Sequence, residues 1–268
     1  MTDYIYFRYC KNTDDEYRNQ VKTTVESFQK KIKKNKDFLN GFTFHVCNSY
    51  KDLGNRSPLT KYVSEHSKEF MYTGGMTVSK IENQDKSEII VKTSSPTIFN
   101  FERNKKVSDV SQATMHEIGH QFDTTFGSCD LKLIEKVKKL PLWTDEPGTD
   151  EEEELFDKYH HSKDLSDKPE FKAAWKIDAQ NLGNSSLSNT LFKHRYFEYW
   201  PYDIDVTDGV TDKEVEQSDT ARSEIFAQLF SYAMGEDDGA KDIITEKYPN
   251  SYKIVKLYIK QYFGIDAK

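Results

Sequence analysis

Two histidines four residues apart, His116 and His120, enclose a glutamate in the segment HEIGH. Residues i and i+4 share one face of an α-helix about one turn apart, so both imidazole rings can reach a single metal ion. Glu117 lies about 100° further round the helix. There its carboxylate flanks the metal without binding it and can accept a proton from water. This is the spacing that a zinc-dependent hydrolytic site requires.

A catalytic zinc ion needs a third protein ligand and leaves a fourth position for water. The metzincin continuation requires a glycine and then a histidine where this chain has Asp123 and Phe126, so that class is excluded. The other common solution is a glutamate on a later helix. SEIFAQLFSYAMG offers Glu224, with Gln228 one turn on to hydrogen-bond a ligating histidine. The other candidates for the third ligand are Asp123, His160, His161 and His194.

The helix that carries the motif is predicted to begin near Asp109, with Ser108 as its N-cap, and to stop at Gly127. One side of this helix carries an apolar stripe that should face the core, formed by Val110, Ile118, Phe122 and Phe126. The pattern therefore predicts an amphipathic helix with one buried face.

Alternating and helical patterns predict the elements around this helix. Strands are expected at 3–9 and 41–47, on either side of a helix whose apolar positions are Val21, Val25, Phe28 and Ile32. A short helix is expected at 59–70, a strand pair at 73–80 and 86–94, and further helices at 168–183, 221–235 and 251–264. The order predicts an α+β fold, with a small mixed sheet followed by the active-site helix and a helical C-terminal half.

The chain is long enough for one large domain, and nothing in it resembles an interdomain linker. We expect a single domain over 1–268. The sheet and the active helix would occupy about 1–127. The part from about 128 to 268 would be mainly helical, with an insertion near 144–220.

Composition restricts the partners that the chain can have. It is 36% hydrophobic and 31% charged, which is typical of a folded domain, and its net charge is −7. A mildly acidic chain is a poor candidate for binding nucleic acid or an anionic membrane. No apolar run reaches the ~20 residues that span a bilayer, and no secretory signal precedes the first strand. We expect a monomer made in the cytoplasm, and export as an effector or toxin stays open.

Three further patterns are assigned no chemistry. Cys10, Cys47 and Cys129 are widely spaced and odd in number, so we expect buried reduced thiols. The acidic stretch at 144–157 is expected to be a solvated face. The spacing of Asp203, Asp205 and Asp208 is similar to that of a calcium-binding loop. The glycine that follows comes one place too late for an EF-hand, so no calcium site is assigned.

HEIGHQFD followed by SEIFAQLFSYAMG resembles the catalytic domain of the anthrax-lethal-factor-like metallopeptidases, which include the secreted Pro-Pro endopeptidases. The resemblance implies a zincin-like fold, a zinc ion held by His116, His120 and Glu224, and Glu117 as the general base. GGMTVSK and SEIIVKT resemble the strand pair before the active helix, and FKAAWKIDAQ resembles a helix between the ligands. The similarity extends over roughly 39–264. It implies a substrate-binding edge at Gly75, Met76, Thr77 and Val78.

The chain also departs from that family. Gln217 stands where the family has a tyrosine that stabilises the oxyanion, which leaves Tyr199 and Tyr202 as candidates to supply the hydroxyl. Gln228 replaces a second glutamate, and the segment between the ligands is longer than usual. We expect a zinc endopeptidase acting on a protein or peptide, as a toxin or effector. The alternatives are an inactive protein-binding module of this fold and an intracellular regulatory protease.

Overall fold

The structure is a computed structural model that describes residues 5–11, 13–47, 75–78, 97–101, 107–127, 164–182, 219–237 and 239–267. Four strands and six α-helices lie within these residues. In chain order they are β1 (Tyr6–Tyr9), α1 (Asp15–Lys31), β2 (Thr43–Cys47), β3 (Gly75–Val78), β4 (Thr97–Phe101), α2 (Val107–Gly127), α3 (Pro169–Leu182), α4 (Asp219–Ala233), α5 (Lys241–Lys247) and α6 (Pro249–Phe263). A short 3₁₀ turn, Leu165–Asp167, precedes α3. The described part of the chain is therefore mostly helical with one small sheet, which is the α+β class that the sequence predicts.

The four described strands form one mixed sheet in the order β1-β2-β4-β3. β1 and β2 are parallel, as are β2 and β4, whereas β3 runs antiparallel to β4. The predicted β1-α1-β2 opening is confirmed. β4 was not predicted, and it is the strand that pairs with β3, with Gly75 opposite Asn100 and Val78 opposite Thr97. The predicted helix at 59–70 and the predicted strand at 86–94 lie outside the described residues.

Helix α1 follows from its local sequence. The Asp14 carboxylate accepts hydrogen bonds from the backbone N–H groups of Glu16 (2.7 Å) and Tyr17 (3.2 Å), which is an N-cap. The apolar positions of the helix are buried, and the lysines that follow Phe28 are exposed, so the lysine run is a solvated face as expected. One face of α1 packs against α2.

The expectation of reduced cysteines is wrong for two of the three. Cys10, just after β1, and Cys47, at the end of β2, form a disulfide with their Cα atoms 4.9 Å apart. Both residues are buried, as expected. The pairing of β1 with β2 places the two residues side by side, although 37 positions separate them in sequence. Cysteine spacing could not show this contact, because it depends on the parallel pairing of the strands. Cys129 lies outside the described residues.

An aromatic cluster joins helix α2 to the C-terminal half. The ring of Phe122 on α2 lies 5.0 Å from Phe230 on α4 and 4.8 Å from Phe263 on α6, measured between centroids. All three side chains are fully buried. Such aromatic pairs each contribute about 0.5–1.5 kcal/mol beyond the burial of their area, so this cluster fixes α2 against α4 and α6.

Of the two predicted ends of α2, the C-terminal end is confirmed and the N-terminal end is wrong. The helix begins at Val107, so Ser108 lies inside its first turn and is not the N-cap. It ends at Gly127 as predicted. A Cβ atom at this position would overlap the backbone of Asp164 and Leu165, so only a glycine fits here. Helix ends are the least reliable part of a sequence-based prediction, because terminal turns fray and adapt to their neighbours.

The C-terminal helix is capped by a residue from another helix. The buried carboxylate of Asp178 on α3 accepts hydrogen bonds from the backbone N–H and side chain of Asn250 (3.3 and 2.7 Å) and of Ser251 (2.7 Å each). Pro249 is the first residue of α6, where its missing N–H costs nothing. This confirms the predicted break before the last helix. The short helix α5 before it was not predicted.

No helix in the described part of the chain is long and apolar enough to cross a bilayer.

Candidate metal centre

Helix α2 brings the two histidines of HEIGH together at one turn's separation. The Nε2 atoms of His116 and His120 lie 3.1 Å apart, and the rings meet edge to face with centroids 4.8 Å apart. Two unprotonated ring nitrogens at this distance repel each other unless a proton or a metal ion lies between them. The pair therefore has the geometry of a site for a positive charge.

Helix α4 supplies the third side chain. Oε2 of Glu224 lies 3.1 Å from Nε2 of His116, and Oε1 lies 3.4 Å from Nε2 of His120. Ligand atoms of these three residues all lie within 4.8 Å of one another, and no other such group of three occurs among the described residues. The structure thus brings together the three residues that the sequence proposed as metal ligands.

Of the other candidates for the third ligand, only Asp123 lies within the described residues, and it is not part of this group. Asp123 is fully buried and its carboxylate is bound by Ser166, through the backbone N–H (2.7 Å) and the hydroxyl (2.8 Å). It therefore has a different role from a metal ligand. His160, His161 and His194 lie outside the described residues, as do Tyr199 and Tyr202.

A chain of two glutamine side chains holds the first histidine. Oε1 of Gln228 lies 3.0 Å from Nδ1 of His116, and the same oxygen accepts a hydrogen bond from Nε2 of Gln112 at 2.8 Å. A histidine that binds a metal through Nε2 must donate its Nδ1 proton, and Gln228 offers the acceptor. Gln228 thus contacts His116 as predicted, while Gln112 was missed.

The second histidine is held from the opposite side. Nδ1 of His120 lies 3.3 Å from Oγ of Ser223, and that hydroxyl lies 3.3 Å from Oδ2 of Asp123. Ser223 directly precedes Glu224 on α4, so the same turn of helix supplies one candidate ligand and a contact to another. Ser223 was also missed in the sequence.

Glu117 directly follows His116 on α2, and its side chain is buried. It is only 5% exposed. Its charge is close enough to contribute to the raised pKa of His120. The carboxylate is therefore largely shielded from bulk water, which strengthens its electrostatic effect on the site.

Charges within the site alter its proton affinities strongly. Burial lowers the pKa of His120, but the charge of Glu224 and its hydrogen bond, with smaller effects from Glu117 and Asp123, raise that pKa to about 9. Burial raises the pKa of Glu224, and the two histidines outweigh this and hold it well below its usual range. Without a metal, the three residues thus hold a proton between them.

Two aspartates near the site, Asp123 and Asp164, also have raised pKa values. Burial and the charge of Asp164 raise the pKa of Asp123 to about 7. Burial and the charge of Asp167 raise the pKa of Asp164 to about 6. The fully buried Arg222 beside them donates from Nε to the carbonyl oxygen of Ser166 at 2.9 Å and forms an ion pair with Asp167.

A glycine inside the motif allows the two site helices to approach. A Cβ atom at Gly119 would lie 2.9 Å from Cα and 3.0 Å from the carbonyl oxygen of Ala227 on α4. Only a residue without Cβ permits this contact between the helix backbones. The sequence did offer a signal, since a glycine in a helix interior costs about 1 kcal/mol relative to alanine and usually has a packing reason.

The predicted substrate edge lies next to α2. β3, which holds Gly75, Met76, Thr77 and Val78, is the last strand of the described sheet, and the active helix packs against it. Comparisons of the chain with protein families, with curated proteins and with solved structures found no match.

Proposed function

We propose that this protein is a zinc-dependent endopeptidase with a zincin-like domain. The observation that carries the proposal is the convergence of His116, His120 and Glu224 from two helices far apart in sequence. Glu117, which directly follows His116, is buried on the same helix as the histidines. Structural ion pairs rarely combine two neutral nitrogen ligands, one carboxylate and an adjacent unligated glutamate, whereas hydrolytic zinc sites do.

The donor atoms fit zinc better than a harder cation. Two imidazole nitrogens and one carboxylate oxygen are a common set of ligands for catalytic zinc, whereas calcium and magnesium prefer oxygen ligands alone. Ligands at about 2.1 Å around a tetrahedral ion are about 3.4 Å apart. The nearest distances among the three side chains here, 3.1, 3.1 and 3.4 Å, are close to that value.

Zinc bound in such a site supplies Lewis acidity, which makes water a stronger acid and polarises a peptide carbonyl. Glu117 accepts the proton of the attacking water and delivers it to the leaving amine, because it directly follows His116 on α2 and is not one of the three grouped residues. Tyr199 and Tyr202 are the candidates for a hydroxyl that binds the oxyanion.

The substrate is a protein or peptide in an extended conformation. It adds a strand at the edge formed by Gly75–Val78, where backbone hydrogen bonds align it without regard to side chains. The contact between β3 and α2 supports this placement, since a peptide paired with β3 runs past the helix that carries Glu117.

The first experiment measures metal content. Zinc per chain, determined by plasma mass spectrometry after zinc-replete purification, is expected to be near one for the native protein and far lower for Glu224→Ala. The control is Glu246→Ala, which removes an exposed glutamate of α5 and should leave the zinc content unchanged. A native chain without zinc would refute the metal site.

The second experiment separates catalysis from binding. Glu117→Gln should keep one zinc per chain and lose peptide cleavage by a factor of at least about 100, measured with a library of quenched fluorescent peptides. The matched control is Glu26→Gln on α1, an exposed glutamate paired with Lys22. Cleavage by Glu117→Gln at the native rate would refute the base assignment. Zinc binding by the native chain without any turnover would indicate a protein-binding module instead.

A further inference from the structure

Ser223 and Asp123 form a chain of polar contacts that ends on His120. The Nδ1 atom of His120 lies 3.3 Å from the Ser223 hydroxyl oxygen, which lies 3.3 Å from Oδ2 of Asp123. Both distances are longer than the usual hydrogen bond, which extends to about 3.2 Å for an N–H donor and about 3.0 Å for an O–H donor. We propose that this relay positions His120, fixing its tautomer and its ring orientation so that Nε2 faces the metal. The inference rests on the proposed metal site.

The donors and acceptors of this relay can be arranged in one order, with each hydrogen bond donated toward Asp123. If Nε2 of His120 carries the lone pair for the metal, Nδ1 must carry the proton and donate it. A serine hydroxyl accepts one hydrogen bond while donating another, and the carboxylate of Asp123 accepts in its ionised form, which is the form that this relay requires. The proton on Nδ1 therefore bonds to Oγ of Ser223, and the hydroxyl proton bonds to Asp123. Every donor in the relay has an acceptor.

The far end of the relay is anchored to a different part of the fold. Asp123 accepts two hydrogen bonds from Ser166 in the 3₁₀ turn before α3, at 2.7 and 2.8 Å. Arg222, also buried, holds the carbonyl oxygen of Ser166 at 2.9 Å. Since Arg222 and Ser223 are neighbours on α4, the turn, the helix and the carboxylate fix one another. A ligand supported in this way loses little freedom when the metal binds.

The two ligand histidines are thus held by chemically different groups. His116 contacts the neutral amide of Gln228, which accepts from the neutral amide of Gln112. His120 contacts a hydroxyl that is backed by a buried carboxylate. A negative charge behind a histidine increases its strength as a ligand, so the relay to His120 should contribute more to metal affinity.

The test compares zinc affinity among single-residue variants of the full chain, by competition with a chromophoric chelator. Ser223→Ala removes the middle of the relay and is expected to weaken zinc binding about 10-fold or more. Ser223→Thr keeps the hydroxyl and should restore most of the affinity. The matched control is Ser231→Ala on the same helix, whose hydroxyl bonds to the backbone oxygen of Gln228 at 2.9 Å and to no ligand.

A second readout reports ligand geometry directly. Co²⁺ substituted for zinc gives visible absorption bands that depend on the coordination geometry, and Ser223→Ala should shift them while Ser231→Ala should not. Native affinity and an unchanged Co²⁺ spectrum in Ser223→Ala would overturn the relay. Equal losses in Ser223→Ala and Ser231→Ala would also overturn it, because they would indicate general loosening of α4. A native chain that binds neither metal would instead refute the proposed function itself.

Discussion

Replacing Gly119 by alanine perturbs the distance between α2 and α4, which should set the geometry of the metal centre. The added Cβ would lie 2.9 Å from Cα of Ala227, 3.0 Å from its carbonyl oxygen and 3.1 Å from Cδ1 of Phe230. Carbon atoms in ordinary contact are about 3.5–4.0 Å apart, so the helices must separate by at least about 0.6 Å here. The two nearest contacts are to backbone atoms, and a change of rotamer cannot relieve them.

The displacement should reach the ligands, because Ala227 lies about one turn from Glu224 on α4. The Glu224 carboxylate is now 3.1 Å from His116 and 3.4 Å from His120. Metal–ligand distances in proteins vary by only about 0.2 Å, so a shift of about 0.6 Å takes the carboxylate out of range. We expect zinc affinity to fall about 10–100-fold. Overpacking costs about 1–3 kcal/mol and helix propensity returns about 1 kcal/mol, which leaves a net loss of stability of about 0–2 kcal/mol.

Two measurements separate these effects. Chelator competition gives the zinc Kd, and urea unfolding of the zinc-free protein gives the free energy of unfolding. The control is Ala113→Gly, which makes the reverse change of helix propensity at a half-buried position of α2. It should lower stability by about 1 kcal/mol and leave zinc affinity unchanged. If Gly119→Ala binds zinc with native affinity, the spacing of α2 and α4 does not control the site.

Three further predictions concern stability. Asp178→Ala removes the cap of α6 and should lower the free energy of unfolding by about 3 kcal/mol with no change in zinc Kd; a urea midpoint equal to that of the native protein would contradict the capping role. Reduction of the bond between Cys10 and Cys47, which are 37 positions apart, should cost about 4 kcal/mol. Thiol titration of the denatured, unreduced chain should find only the third cysteine, and three titrating thiols would show that no bond forms. In the metal-free protein, burial lowers the pKa of His120 but the charge of Glu224 outweighs it, raising that pKa to about 9. The contact between protonated His120 and Glu224 therefore stabilises the folded protein fully below about pH 6.5, the pKa of His120 in the unfolded chain. This stabilisation is lost as pH rises toward 9. Glu224→Gln should flatten the fall of Tm over this window, and an unchanged slope would exclude the pair as its cause.

The sequence alone determined the parts of the site that depend on local geometry. The i, i+4 spacing of His116 and His120 places their rings on one face of any regular helix, and the structure has them there. The apolar stripes of α1 and α2 likewise identified their buried faces, because helical periodicity does not depend on the partner. Glu224 was proposed from the pattern of its own helix. The packing of α4 against α2, which brings Glu224 to the histidines, could not be predicted from local sequence.

Tertiary structure decided which distant residues meet. Ser223 and Asp123 are 100 positions apart, and they contact because Gly119 lets α4 approach α2. Cys10 and Cys47 pair because two parallel strands align their ends. Side-chain relays and disulfides between elements depend on packing, whose energy is shared among many apolar contacts of similar strength, so sequence periodicity predicts which face is buried without showing what covers it.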